Sequence, residues 1–189
     1  MRNFNAIKRE HLDVIGKLDA CSSVVEAVAQ KIVECLERGG KVCFMGNGGS
    51  AADSQHLAAE FVGRFQIERN PLPSMAFTTD TSILTAIAND YGYDSIFERQ
   101  VQGLCSSLDV VVGISTSGNS PNVLRGLAKA RDVGAFAVGL TGESGGKMLA
   151  LCDACIRVPS PVAARIQEAH ILIGHALCEV VENALQTED

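Results

Sequence analysis

His56 and Glu60 lie four residues apart in Gln55-His56-Leu57-Ala58-Ala59-Glu60. On a helix they share one face, a turn apart, a spacing that suits a shared metal ion or an acid/base pair and equally describes a solvated face. Just upstream, Gly46-Asn47-Gly48-Gly49-Ser50 follows the apolar run Val42–Met45 and opens a helix near Ala51. A second loop of this kind, Ser115-Thr116-Ser117-Gly118-Asn119-Ser120-Pro121, follows Val110–Ile114 and opens another helix. Free N–H groups and the positive dipole end of a helix N-terminus bind anions. Glycine permits close backbone approach, and serine and threonine hydroxyls add donors. Two such loops after separate strands point to a phosphorylated small molecule.

The last helical segment carries Gln167, Glu168, His170 and His175. Gln167 and His175 would stand about 80° apart around a helix and ~12 Å along it, while His170 lies ~140° from His175 and serves another face. His175 sits in the apolar stretch Ile171–Leu177, where a histidine also reads as a core or interface residue. His11 shows no partner in its neighbourhood and reads as surface. Asn89-Asp90-Tyr91-Gly92 reads as a helix C-terminal turn in which Asp90 could meet a sugar hydroxyl, and Arg64 is a candidate anion partner.

These residues need a frame. Helix-period apolar positions mark residues 5–17 and 22–38, and Gly39-Gly40 stops the second segment. Strand-like runs at 41–46, 74–78, 109–114, 135–140 and 154–158 then alternate with helical segments at 51–63, 81–88, 94–104, 120–132 and 162–186. Ser120 before Pro121 reads as an N-cap followed by a favourable first helical residue. Apolar rather than alternating strands between helices predict an α/β fold, a doubly wound parallel five-stranded sheet flanked by helices. The expected organisation is a single domain over 1–189, with leading helices in 1–38 and the α/β core and closing helix in 39–189. Ligands of such sheets sit beyond the C-terminal strand ends, where both cradle loops and Thr78-Thr79-Asp80 fall. The leading and closing helices carry more apolar surface than one sheet can cover, which predicts a helical oligomer interface.

Bulk properties narrow the function. The chain has 189 residues, 47% hydrophobic, 20% charged and 5% aromatic, no Trp and a net charge of −6. That composition describes a globular protein and disfavours a generic nucleic-acid surface. No apolar run reaches membrane-spanning length, and no signal-peptide core is evident at the N-terminus. Seven cysteines scattered through apolar segments read as reduced thiols in a cytoplasmic protein. Cys152-Asp-Ala-Cys155 has redox or metal spacing but no second pair beside it, and reads as core packing. Gly46-x-Gly48-x-x-Ala51 also fits a dinucleotide fingerprint, but no acidic residue closes the following strand.

Four segments together, Gly46–Arg64 (GNGGSAADSQHLAAEFVGR), Leu84–Tyr91 (LTAIANDY), Gly113–Ser120 (GISTSGNS) and Arg165–His175 (RIQEAHILIGH), give a specific resemblance. The chain resembles the sugar isomerase (SIS) domain family and, within it, the phosphoheptose (sedoheptulose-7-phosphate) isomerases, over nearly its whole length. The resemblance implies an aldose–ketose isomerase that converts sedoheptulose 7-phosphate to D-glycero-D-manno-heptose 7-phosphate through an enediol, for lipopolysaccharide-type heptose. It implies substrate contacts from Asn47, Gly48, Gly49, Glu60, Asn89, Asp90, Ser115, Thr116, Ser117, Ser120 and Gln167. It further implies one zinc ion per subunit on His56, Glu60, Gln167 and His175, catalysis by Glu60 and His175, and a homotetramer. A related DnaA-associating regulator shares the fold but generally lacks residues matching Glu60 and His175, which this chain retains. An isomerase of another sugar phosphate is the remaining alternative.

Overall fold

A computed structural model describes residues 3–186. Two helices lead, α1 (Phe4–Ile15) and α2 (Ser22–Glu37), joined by a 3₁₀ turn at Leu18–Cys21. The core follows as β1 (Val42–Gly46), α3 (Gly49–Val62), β2 (Ser74–Ala76), α4 (Thr81–Tyr91), α5 (Ile96–Leu104), β3 (Val110–Ile114), α6 (Pro121–Asp132), β4 (Phe136–Thr141), β5 (Ala154–Arg157) and α7 (Ala163–Ala184). The five strands form one parallel sheet in the order β2-β1-β3-β4-β5. The expected α/β doubly wound sheet is therefore the observed one.

Every residue of β1 and β3 is buried, which is why these strands read as unbroken apolar runs. Alternate side chains feed two cores. Val42, Phe44, Val110, Val112 and Ile114 pack with α2, α3 and α7, while Cys43, Met45 and Val111 pack with α5 and α6. Strand order reverses between β1 and β3, so a crevice opens there beyond their C-terminal ends. The two cradle loops lie on either side of it.

The helix ends show where local signals were overruled. Asp80 caps α4 by accepting from the Ile83 N–H, and α4 runs through Tyr91 to Gly92 (φ 84°), absorbing the expected turn. Ser120 occupies the N-cap position of α6 without a capping hydrogen bond. Its hydroxyl instead meets Ser115 Oγ at 2.9 Å, inside the cradle. Among the described residues no helix is long and apolar enough to cross a membrane.

Candidate active site

The first cradle loop turns at Gly48, whose φ of 57° is costly for any other residue, and α3 starts immediately after it. Thr78, beyond β2, donates its hydroxyl to the Ala51 carbonyl (3.3 Å), which ties the third predicted loop to the start of α3. A Cβ on Gly49 would lie 2.9 Å from Gln167 Nε2, so the bare glycine lets the α7 carboxamide against the loop.

Down α3, His56 and Glu60 present themselves on one face, and α7 brings His175 to them. His56 Nε2 lies 2.8 Å from His175 Nε2 and 3.4 Å from Glu60 Oε1. Ligand atoms of all three lie within 4.8 Å of one another. Two imidazole nitrogens and a carboxylate oxygen form a zinc-type donor set. Tetrahedral ligands at ~2.0–2.1 Å from zinc stand about 3.3–3.4 Å apart. The His56–Glu60 separation already matches, and the two imidazoles would need to part by about half an ångström. The residues therefore fit the ion. Gln167 lies about 12 Å along α7 from His175, at the cradle loop.

The walls of this cluster come from residues the sequence reading passed over. Asp53, one turn before His56, has a half-buried carboxyl whose Oδ2 meets no partner. Burial pushes its pKa up, against the opposing charges of His56 and His175. The Asp53, His56, Glu60 spacing of i, i+3, i+7 was the available signal. Phe65 lays its ring 5.4 Å from that of His175. Its loop is held by Glu182, a buried α7 carboxylate that accepts from the N–H groups of Phe65, Gln66 and Ile67 and from Arg69. Burial pushes the Glu182 pKa up, but these donors outweigh it and hold the carboxyl below its usual range. No local pattern links Glu182 to a loop more than a hundred residues earlier.

The second cradle gathers hydroxyls. Ser115 Oγ lies 2.9 Å from Ser120 Oγ and 3.5 Å from Ser117 Oγ, and the Asn119 N–H donates to Ser117 Oγ. Gly118 (φ 64°) has no room for a side chain, since a Cβ would run into the Gly145 carbonyl oxygen. The loop after β4 clasps this cradle through Gly142 N–H to Thr116 O (3.1 Å) and Met148 N–H to Gly118 O (3.0 Å). Asn89 and Asp90 are exposed at the end of α4, where Asn89 donates to the Asp90 carboxylate at 2.8 Å. From that region Tyr93 reaches the first loop, its hydroxyl donating to Asn47 Oδ1 at 3.2 Å.

Other candidates fall away from the crevice. His170 is buried, its Nε2 3.3 Å from the Thr141 carbonyl, and burial pulls its pKa down to about 4. His11 does have a partner, Glu168 at 2.7 Å, contrary to its reading as an isolated surface residue. That pair and Arg165, which bonds both Glu168 and the Ile7 carbonyl, fasten α1 to α7. Arg64 pairs with Glu68 at 3.4 Å on an exposed segment. All seven cysteines are free thiols, and Cys152 and Cys155 are half-buried. A cavity of about 410 Å³ at the opposite end of the sheet, lined in part by Lys31, Asp109 and Arg131, contains none of the predicted site residues.

A doubly wound sheet with two phosphate-type loops at its switch point and a His/Glu/His cluster beside them has the layout of an α/β protein that handles a phosphorylated small molecule. The SIS domain family matches residues 9–142, and the chain belongs to that family. It is 58% identical over 164 residues to the phosphoheptose isomerase of Solidesulfovibrio magneticus, covering 87% of this chain and 80% of that protein. Identity to the Aneurinibacillus thermoaerophilus phosphoheptose isomerase is 56%, covering 86% and 82%. Among solved structures, phosphoheptose isomerase GmhA from Neisseria gonorrhoeae superposes with a TM-score of 0.88 at 42% identity, covering 94% of this chain and 96% of that one. A phosphoheptose isomerase from Francisella tularensis gives 0.92 at 37% identity, covering 95% and 96%. Within the SIS-domain family, the chain belongs with the phosphoheptose isomerases.

Proposed function

We propose that this chain isomerises sedoheptulose 7-phosphate to D-glycero-D-manno-heptose 7-phosphate, an aldose–ketose reaction, in keeping with relatives named phosphoheptose isomerases. The observation that carries the reading is the His56–Glu60–His175 cluster beside the first cradle loop. A carboxylate and an imidazole side by side suit acid/base work, and the hydroxyls of the loop after β3 are available as donors for phosphate.

In the proposed reaction the hydroxyls of Ser115, Thr116, Ser117 and Ser120 hold the phosphate and so fix the reacting end. Glu60 takes a proton from C1 of the ketose while His175 delivers one to O2, giving the enediol. The proton on Glu60 exchanges with solvent during the lifetime of the enediol, and Glu60 then delivers a proton to C2 as His175 takes the proton from O1, which leaves the aldose. Asn47, Gly48, Gly49, Asn89 and Asp90 contact the sugar. His56, Glu60 and His175 would hold zinc, one ion per subunit, with Gln167 joining by a swing of its side chain or from a neighbouring subunit. Zinc, when bound, supplies positive charge that stabilises developing charge on substrate oxygens. A cation-bound carboxylate is a weaker base, so Glu60 would work with the oxygen that does not face His56.

The cellular setting follows from the same reading: a cytoplasmic homotetramer supplying heptose for lipopolysaccharide-type glycans. The exposed apolar residues Phe4, Leu12, Val62, Leu172 and Val180 on the leading, third and closing helices support assembly through helices. The role assignment is tested with Glu60→Gln. Loss of about 10²–10⁴ in kcat with an unchanged melting temperature is expected, and near-normal turnover by the folded variant would remove Glu60 from the proton transfer.

A further inference from the structure

Asn122 is the second residue of α6, two positions beyond Ser120, and is 2% exposed. Its side chain is committed on both sides. Oδ1 accepts from the Val123 N–H (2.9 Å) and from Asn47 Nδ2 (2.9 Å), while Nδ2 donates to Asn47 Oδ1 (2.8 Å). The first of these fixes the rest. Val123 is in the first turn of α6, where N–H groups have no partner within the helix. Ser120 does not cap that turn, because its hydroxyl lies against Ser115. Asn122 therefore turns its oxygen to the helix and its amide nitrogen outward. Asn47 must answer with its oxygen, which also accepts from Tyr93.

We infer that Asn122 is a positioning residue that straps the first cradle loop to the serine cradle. The reciprocal amide pair spans β1 and β3 at the switch point, joining the loop beside the reacting end of the substrate to the loop that takes its phosphate. With Oδ1 doubly used, Asn47 offers a ligand its remaining amide N–H and its backbone. The side chain of Asn47 thus acts mainly as half of the strap. The strap itself rests on geometry, whereas its catalytic consequence rests on the isomerase reading.

Asn122→Asp tests the amide directly, since it keeps the shape and the acceptor for Val123 but sets an oxygen against Asn47 Oδ1. Expected is a fall in kcat of about ten- to a hundredfold, larger than any rise in KM. Asn47→Ala combined with Asn122→Ala should cost no more than the worse single change, because either removal already opens the strap. Hydrogen exchange at residues 46–51, measured without substrate, should quicken in Asn122→Ala and Asn122→Asp. Normal kcat in the folded Asp variant, or additive single effects, would overturn the inference. If the wild type itself fails to turn over sedoheptulose 7-phosphate, the isomerase reading is lost and exchange alone decides. Faster exchange confined to residues 46–51 would sustain the strap, and unchanged exchange would refute it.

Discussion

Replacing Glu182 with glutamine separates what the buried carboxylate does from what its bulk does. Oε1 accepts from the Phe65 N–H and Arg69 Nε, both at 2.9 Å, and Oε2 from the N–H groups of Gln66 (2.7 Å) and Ile67 (3.0 Å). An amide keeps one oxygen and turns an NH₂ group towards two donors. Hydrogen bonds to a charged acceptor contribute about 1.5–3 kcal/mol each. Two are lost, and the neighbouring loop can draw water to its freed N–H groups, so the net cost is about 2 kcal/mol. For a domain of this size that lowers the melting temperature by roughly 4–8 °C. Arg69 is not left stranded, because it also bonds the carbonyls of Glu60, Phe61 and Asn70. The deficit should depend on pH in a defined direction. The folded pKa lies below the ordinary 4.5, so the carboxylate's contribution is complete above pH 4.5 and fades as pH falls further. Thermal melts of both proteins at one fixed concentration, at pH 7 and on a descending series below 4.5, would show the gap closing. Equal melting at pH 7, or a gap that ignores acid, would refute the reasoning.

Two further predictions come from backbone and burial. Gly118→Ala meets both an unfavourable φ of 64° and the Gly145 carbonyl, so it should cost about 2 kcal/mol or more and raise KM for the sugar phosphate. Normal stability and KM would show that the two loops can part freely. His170 has a folded pKa of about 4 against 6.5 unfolded, so it favours the fold above pH 6.5 and loses that contribution as pH falls towards 4. His170→Gln, which keeps a donor for the Thr141 carbonyl, should flatten stability across that window, and an unchanged slope in urea melts would contradict this.

The sheet was legible because strands buried on both faces leave continuous apolar runs such as Val110–Ile114, punctuated by glycine and polar loops. Helix bounds came within a few residues for the same reason. The approach of His56 and Glu60 was legible too, since i, i+4 spacing on one helix needs no tertiary information. Residue spacing alone could not give the contacts made across the fold, and the meeting of His175 with His56 and Glu60 was expected only from the family resemblance. His11 meets Glu168 from 157 residues away, and Glu182 reaches the Phe65 loop from the far end of the chain. Ser120 misled in a different manner. Its position promised a cap, but the cradle claimed its hydroxyl, and Asn122 took over the helix start. Local propensity yielded to the polar demands of the site, as is expected where function is built.

The central claim is tested most directly by incubating the purified chain, loaded with zinc, with sedoheptulose 7-phosphate in D₂O and following the products by NMR. The account predicts D-glycero-D-manno-heptose 7-phosphate carrying deuterium at C2, the mark of a carbon-bound proton exchanged through an enediol. A folded, zinc-loaded protein that leaves the ketose unchanged and unlabelled would contradict it.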